Sequence, residues 1–130
     1  MARYAITKKL GCGYVEALER AHSAFREEDL LVLSELDMTE HIKKTLNKNF
    51  RRYAILGVCD PRLSYKALTV ETDMGLMIPF NIIVYENDEG GSTIAAIDPV
   101  VSMAVIENPA IALVAKEIRE RIEKAVNSIS

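Results

Sequence analysis

The sequence predicts an α+β fold, in which a mixed, largely antiparallel sheet of about five strands is covered by helices in the order β-α-β-α-β-α-β-β-α. Some segments have apolar residues at every second position, as strands do. They alternate with segments in which apolar residues recur every three or four positions, as in helices. Asp-Pro and Asn-Pro pairs mark helix starts at three points. No linker interrupts the 130 residues, so one domain is expected.

The first half of the chain is predicted to form two strand–helix units. Residues 2–10 alternate as a half-buried strand does, and residues 14–27 have the period of an amphipathic helix. Residues 30–36 are largely apolar on both sides, which predicts a strand covered on at least one face. Asp37, with Glu40 three residues later, is a capping-box pattern. The helix that follows is expected to bury one stripe, formed by Met38, Ile42 and Leu46.

The second half is predicted to complete the sheet. The uncharged run 53–59 suits a strand in the middle of the sheet, and Asp60-Pro61 then starts a helix that reaches about residue 70. Residues 77–86 and 92–97 are expected to form an antiparallel hairpin. Asp98-Pro99 and Asn108-Pro109 repeat the helix-start pattern. The final helix has one apolar face, formed by Ile111, Val114, Ile118, Ile122 and Val126.

Composition excludes several classes of protein. A formal net charge of -3 with both signs interspersed predicts binding neither to nucleic acid nor to an anionic membrane surface. The first nine residues lack the apolar segment of a secretory signal, and no run of about 18 apolar residues predicts a membrane span. Cys12 and Cys59 form neither a disulfide framework nor a CxxC motif. We therefore expect a cytoplasmic protein without a metal site or cofactor.

Cys59 is the main catalytic candidate in the sequence. It stands where an apolar strand ends and a helix begins, and the dipole of a helix N-terminus can lower the pKa of a thiol. The carboxylate of Asp60 next to it has the opposite effect. A buried structural cysteine is the alternative interpretation. His41 and Glu35 are the side chains proposed to assist the thiol, although a histidine at the border of core and solvent is more often structural.

Three residues are candidates for ligand binding. Arg52 belongs to a basic cluster with Arg51 and Lys48, which is either an anion-binding patch or the solvated end of a strand. Asn81 and Tyr65, together with Tyr85, are candidates for lining a pocket. Nothing in the sequence brings these side chains together.

Four collinear stretches resemble the "domain of unknown function 302" family: Asp37 to Lys43, Tyr53 to Pro61, Gly75 to Glu86 and Ile97 to Pro99. The Leu-Gly-Val-Cys-Asp-Pro run is the most specific. The resemblance implies a fold like that of the TATA-binding protein and a homodimer, and it implies no activity. Family members often have cysteine directly after the proline matched by Pro79, where this chain has Phe80. Of that cysteine pair only Cys59 is present.

Two functions follow from these observations. The first is a non-catalytic homodimeric module that binds a small molecule or a protein in a groove between sheet and helices. The second is a thiol-dependent enzyme, or a redox or metal sensor, centred on Cys59. The geometry around Cys59 separates the two.

Overall fold

A computed structural model describes residues 3–130, and it confirms the α+β class and the predicted order of strands and helices. Ala2, at the start of the predicted first strand, lies outside the described residues. The strands are β1 (Ala5–Leu10), β2 (Leu31–Asp37), β3 (Tyr53–Cys59), β4 (Phe80–Glu86) and β5 (Ser92–Ile97). The helices are α1 (Tyr14–Glu27), α2 (Met38–Leu46), α3 (Pro61–Val70), α4 (Pro99–Ser102) and α5 (Pro109–Ser128).

The strands form one five-stranded sheet in the order β1-β5-β4-β3-β2. All four neighbouring pairs are antiparallel, so the sheet is not mixed. One row of paired residues crosses the whole sheet: Ile6, Ala96, Ile82, Leu56 and Glu35. The chain's first strand therefore pairs with its last, and β1 and β2 are the two edges.

The core lies between one face of the sheet and the helices α1 and α5. Leu56, Ile82 and Ile94 point from the inner strands into this layer and are fully buried. The predicted apolar face of α5 is confirmed, because all five of its residues are buried. The opposite face of β3 and β4 carries Tyr53 and Tyr85, whose rings stack at 5.4 Å. No helix within residues 3–130 is long and apolar enough to cross a membrane.

All four predicted helix caps are confirmed. The side chains of Asp37, Asp60, Asp98 and Asn108 each accept a hydrogen bond from an amide in the first turn of their helix. These amides have no partner within the helix, so each capping side chain stabilises the helix start by about 1 kcal/mol.

The predicted strand 77–86 begins later than expected, at Phe80. Residues Thr72–Leu76 form a 3₁₀ turn, and the chain then passes through Pro79 before it joins the sheet. Proline has no amide hydrogen to donate to a neighbouring strand, which is why the ladder starts after it.

Burial in the first half is less than predicted. β2 is an edge strand covered on one face, where Val32 packs against the core as expected, but its leucines Leu31, Leu33 and Leu36 are exposed. The prediction that the stripe of α2 is buried is wrong, since none of its residues reaches the core. Met38 and Ile42 are half-buried and Leu46 is exposed, and the exposed side of the helix that carries Lys43 and Lys44 lines a surface groove. We name the exposed apolar surface of Leu31, Leu33, Leu36, Leu46 and Phe50 the β2–α2 edge.

Candidate binding groove

A groove of about 370 Å³ opens where the start of α1, the end of β2 and helix α2 meet the residue before β3. Its lining residues are Tyr14, Asp37, Thr39, Glu40, Lys43, Lys44 and Arg52. The volume falls in the usual range for small-molecule sites, about 300–1,000 Å³. Arg52 is the only sequence-predicted ligand residue among the lining residues.

Tyr14 and Arg52 form the inner part of the groove. The guanidinium carbon of Arg52 lies 4.5 Å from the centre of the Tyr14 ring, within the range of a cation–π contact. The backbone of Arg52 is fixed because its amide donates to the Glu86 carboxylate at 2.9 Å. Within residues 3–130 the guanidinium itself has no carboxylate or carbonyl partner. Its donors therefore remain available to a ligand.

Helix α2 is attached to the sheet at its first turn. The Thr39 hydroxyl donates to the Arg51 carbonyl at 2.6 Å and accepts from the Tyr53 amide at 2.9 Å. The Asp37 carboxylate accepts from the Glu40 amide at 3.0 Å. These bonds fix the side of the helix that lines the groove.

The charges in the groove differ in whether they are already paired. Lys44 binds Glu40 at 2.6 Å, and this hydrogen bond and charge raise the pKa of Lys44. Within residues 3–130, Lys43 has one partner, the Asn49 amide oxygen at 3.5 Å. Burial raises the pKa of the Tyr14 phenol, as does the negative charge of Asp37, against a smaller opposing effect of Arg52. Tyr14 is therefore a neutral hydrogen-bond donor at pH 7.

The three residues of the thiol hypothesis lie on three different elements. Cys59 is 5% exposed at the end of β3 and pairs with Leu31, whereas Glu35 lies farther along β2, opposite Leu56. Glu35 binds the ring of His22 on α1 at 2.6 Å. His41 is exposed on α2. No group of three or more metal-binding side chains occurs in the part of the chain that the structure describes.

The other two ligand candidates do not reach the groove. Asn81 is exposed on the opposite face of the sheet, where it lines a pocket of about 160 Å³ with Ile83 and Ile97. Tyr65 is 76% exposed on α3. Of the basic cluster, Arg51 binds Asp88 at 3.1 Å, and it does not line the groove.

Sequence reasoning missed two features of this region. Tyr14 was expected in the apolar face of α1, and it is indeed largely buried, but its ring also forms a wall of the groove. The pair of His22 and Glu35 joins residues 13 positions apart. The two residues meet because α1 packs next to β2, so no local sequence pattern predicts the pair.

Three comparisons place the chain among known proteins. The model of a family described as "Domain of unknown function DUF302" matches residues 6–129. A crystal structure titled as the uncharacterized conserved protein DUF302 from Bacillus stearothermophilus is similar, with a TM-score of 0.90 and 22% sequence identity. The alignment covers 99% of this chain and 100% of that one, and at this identity it shows a shared fold. No curated protein matches the chain.

Proposed function

The chain belongs to the family of the domain of unknown function DUF302, and from this premise we propose that it is a non-catalytic, homodimeric binding module whose two copies pack through the β2–α2 edge. The observation that carries the proposal is the exposure of this edge. Leu33 is 58% exposed and Leu46 64% exposed. Exposed apolar patches are typical of protein interaction sites, and these leucines lie on the consecutive elements β2 and α2.

The structure of α2 supports a protein partner at this edge. An isolated nine-residue helix is marginal in water, so a helix of this length needs packing on its apolar side. The lysine-bearing side of α2 faces the groove, and the stripe of Met38, Ile42 and Leu46 lies about 130° away around the helix axis. Of this apolar side Met38 and Ile42 are half-buried and Leu46 is exposed, so the end of the helix at Leu46 is open to a partner.

Charge complementarity favours a second copy of this chain as that partner. The residues in and just after α2 carry Lys43, Lys44 and Lys48, whereas the end of α1 and the turn before β2 carry Glu27, Glu28 and Asp29. Because β2 leads from this acidic turn to α2, an antiparallel second copy places each basic segment beside the other's acidic turn. In a two-fold symmetric dimer this pairing of a basic segment with an acidic turn occurs twice.

Two further features support the rest of the proposal. Cys59 is buried at the end of β3, and Glu35 pairs with Leu56, three positions before it, which supports a structural thiol rather than a catalytic one. Both cysteines carry free thiols, which supports a reducing compartment such as the cytoplasm.

The oligomeric state tests the dimer. We expect the protein to sediment as a dimer at about 100 µM, and Leu33→Glu to raise the dissociation constant at least about tenfold by placing two like charges in an apolar interface. The matched control is Leu76→Glu, a leucine that is 85% exposed on the 3₁₀ turn and outside the edge. Circular dichroism checks that both variants fold.

Two results would contradict the proposal. One is a wild-type protein that stays monomeric at this concentration. The other is a dimer that Leu33→Glu and Leu76→Glu weaken equally, which would place the interface elsewhere.

A further inference from the structure

We propose that the groove binds a small organic acid, whose carboxylate or phosphate group is held by Arg52 and whose apolar body lies between Tyr14 and the aliphatic stems of Lys43 and Lys44. This inference rests on the proposed binding function and adds the chemical class of the ligand.

Three donors of the groove have no strong partner within residues 3–130. The Arg52 guanidinium contacts the Tyr14 ring and no acceptor, and the Tyr14 hydroxyl makes no hydrogen bond to another described residue. Lys43 has one long contact to a neutral amide oxygen. An acid with two or more oxygens accepts from such donors, and arginine binds carboxylates and phosphates with two parallel hydrogen bonds.

Each carboxylate at or near the groove already has a partner within residues 3–130. Glu40 binds Lys44, and Asp37 accepts an amide of its own helix. Glu35 binds His22, and Glu86 accepts the Arg52 amide. In contrast, the Arg52 guanidinium and the Lys43 ammonium line the groove without a carboxylate partner among residues 3–130. The arrangement therefore favours a negative charge on the ligand.

The shape of the groove favours an organic body over a bare ion. A volume of about 370 Å³ exceeds what a single phosphate or carboxylate group needs. The Tyr14 ring and the methylene chains of Lys43 and Lys44 present carbon to this space. Apolar walls with a few converging polar groups are typical of sites for small organic molecules.

Titration calorimetry of the full chain with matched aromatic probes tests the inference. Benzoate and phenyl phosphate carry the acid, benzyl alcohol is neutral, benzylamine is cationic, and inorganic phosphate has no organic body. We expect benzoate or phenyl phosphate to bind at least about tenfold more tightly than the other three. Tighter binding of benzylamine overturns the assigned charge. Equal binding of inorganic phosphate overturns the organic body, and no binding of either acid overturns the site.

Two arginine variants locate the bound acid. Arg52→Gln is expected to weaken the binding of the tighter acid at least about tenfold. Arg51→Gln, the same change one residue away and outside the groove, is expected to change it less than about twofold. Equal effects of the two variants overturn the assignment to Arg52. Should Arg52→Gln fail to fold, Lys43→Gln on the exposed side of α2 replaces it, with an expected loss of about threefold.

Sedimentation of the same samples separates this inference from the dimer. A dimer that binds neither acid overturns the groove and leaves the dimer standing. A monomer that binds benzoate or phenyl phosphate through Arg52 overturns the dimer and leaves the groove standing.

Discussion

Two arginines of α5 hold the first turns of two other helices. The Arg121 guanidinium donates to the Asp60 carboxylate at the start of α3, and its Nε donates to the Glu28 carbonyl at 3.1 Å. The Nε of Arg119 donates to the Asp98 carboxylate at 3.0 Å at the start of α4. Each aspartate therefore caps its own helix and also ties it to α5.

The Asp60 carboxylate is expected to make stability depend on acid pH. Burial acts to raise its pKa, but the hydrogen bonds from Arg121 and from the amides of Leu63 and Arg62 outweigh burial, so the pKa is lowered. A lowered pKa stabilises the folded state above the unfolded value of about 3.9, and this contribution is lost as pH falls through the folded value. Asp60→Asn is expected to reduce the free energy of unfolding at pH 7 by about 1.5–3 kcal/mol. Chemical denaturation at pH 7 and below pH 4 measures both effects.

Asp37→Asn is the control for this prediction. Asparagine caps helices as well as aspartate does, and Asp37 is exposed and pairs with no arginine of residues 3–130, so we expect a loss below about 0.5 kcal/mol. Equal losses for the two variants, or an unchanged acid dependence in Asp60→Asn, would show that the pair with Arg121 contributes nothing beyond the cap.

At the residue scale, local chemistry was predictable and distant partners were not. A cap acts on amides two or three positions ahead, so Asp60-Pro61 is enough to predict it. Arg121 is 61 positions away, and only the packing of α5 brings it to Asp60. The same holds for the groove, where Arg52 was a candidate from its charge but its contact with Tyr14 depends on the fold.

The hairpin of β4 and β5 depends on a glycine at the end of its loop. The Asn87 side chain accepts the amides of Glu89 and Gly91 at 3.0 and 3.1 Å, which closes the loop. A Cβ atom on Gly91 would clash with the Leu10 carbonyl oxygen of β1. Because this oxygen belongs to the backbone, it can move away only if the strand moves. The last strand thus meets the first through a position that only glycine fits.

Gly91→Ala is therefore expected to destabilise the protein by about 1–3 kcal/mol, the usual cost of forcing atoms into filled space. Thermal unfolding measures the change, and Gly11→Ala in the facing segment is the control. A Cβ at Gly11 meets nothing within 4 Å, so its effect should stay within about 0.5 kcal/mol. Gly91→Ala as stable as the wild type would mean that the junction of β1 and β5 is looser than its geometry indicates.

Helix α2 shows why periodicity predicts an element better than its burial. The spacing of Met38, Ile42 and Leu46 gives a helix with an apolar side, and the helix forms as predicted. Periodicity does not say whether that side meets the chain's own core or another surface. Likewise, the apolar run of β2 predicts a strand but cannot tell an edge strand from an inner one, because its neighbours are set by the whole sheet.

At the scale of the whole molecule, the unlike charges at the two ends of β2 determine how a second copy is expected to dock. α2 begins where β2 ends, and the acidic turn after α1 precedes β2, so the two charged segments lie at opposite ends of one edge strand. A parallel arrangement of two copies would place like charges together and is disfavoured. An antiparallel, two-fold arrangement places Lys48 of each copy near Glu27 of the other.

Charge reversal tests this arrangement independently of the apolar contacts. Lys48→Glu and Glu27→Lys are each expected to weaken the dimer about two- to tenfold, since each creates two repulsive pairs. The double variant restores attraction with the signs exchanged and is expected to return to within about twofold of the wild type. Lys116→Glu, on the exposed side of α5 and away from the edge, controls for the change in net charge. Sedimentation at low salt and at about 1 M salt measures all four, and the differences should vanish at high salt because the charges are then screened. If the double variant instead weakens the dimer by the product of the two single effects, Lys48 and Glu27 do not face each other. The antiparallel arrangement would then be wrong, even if the protein were a dimer.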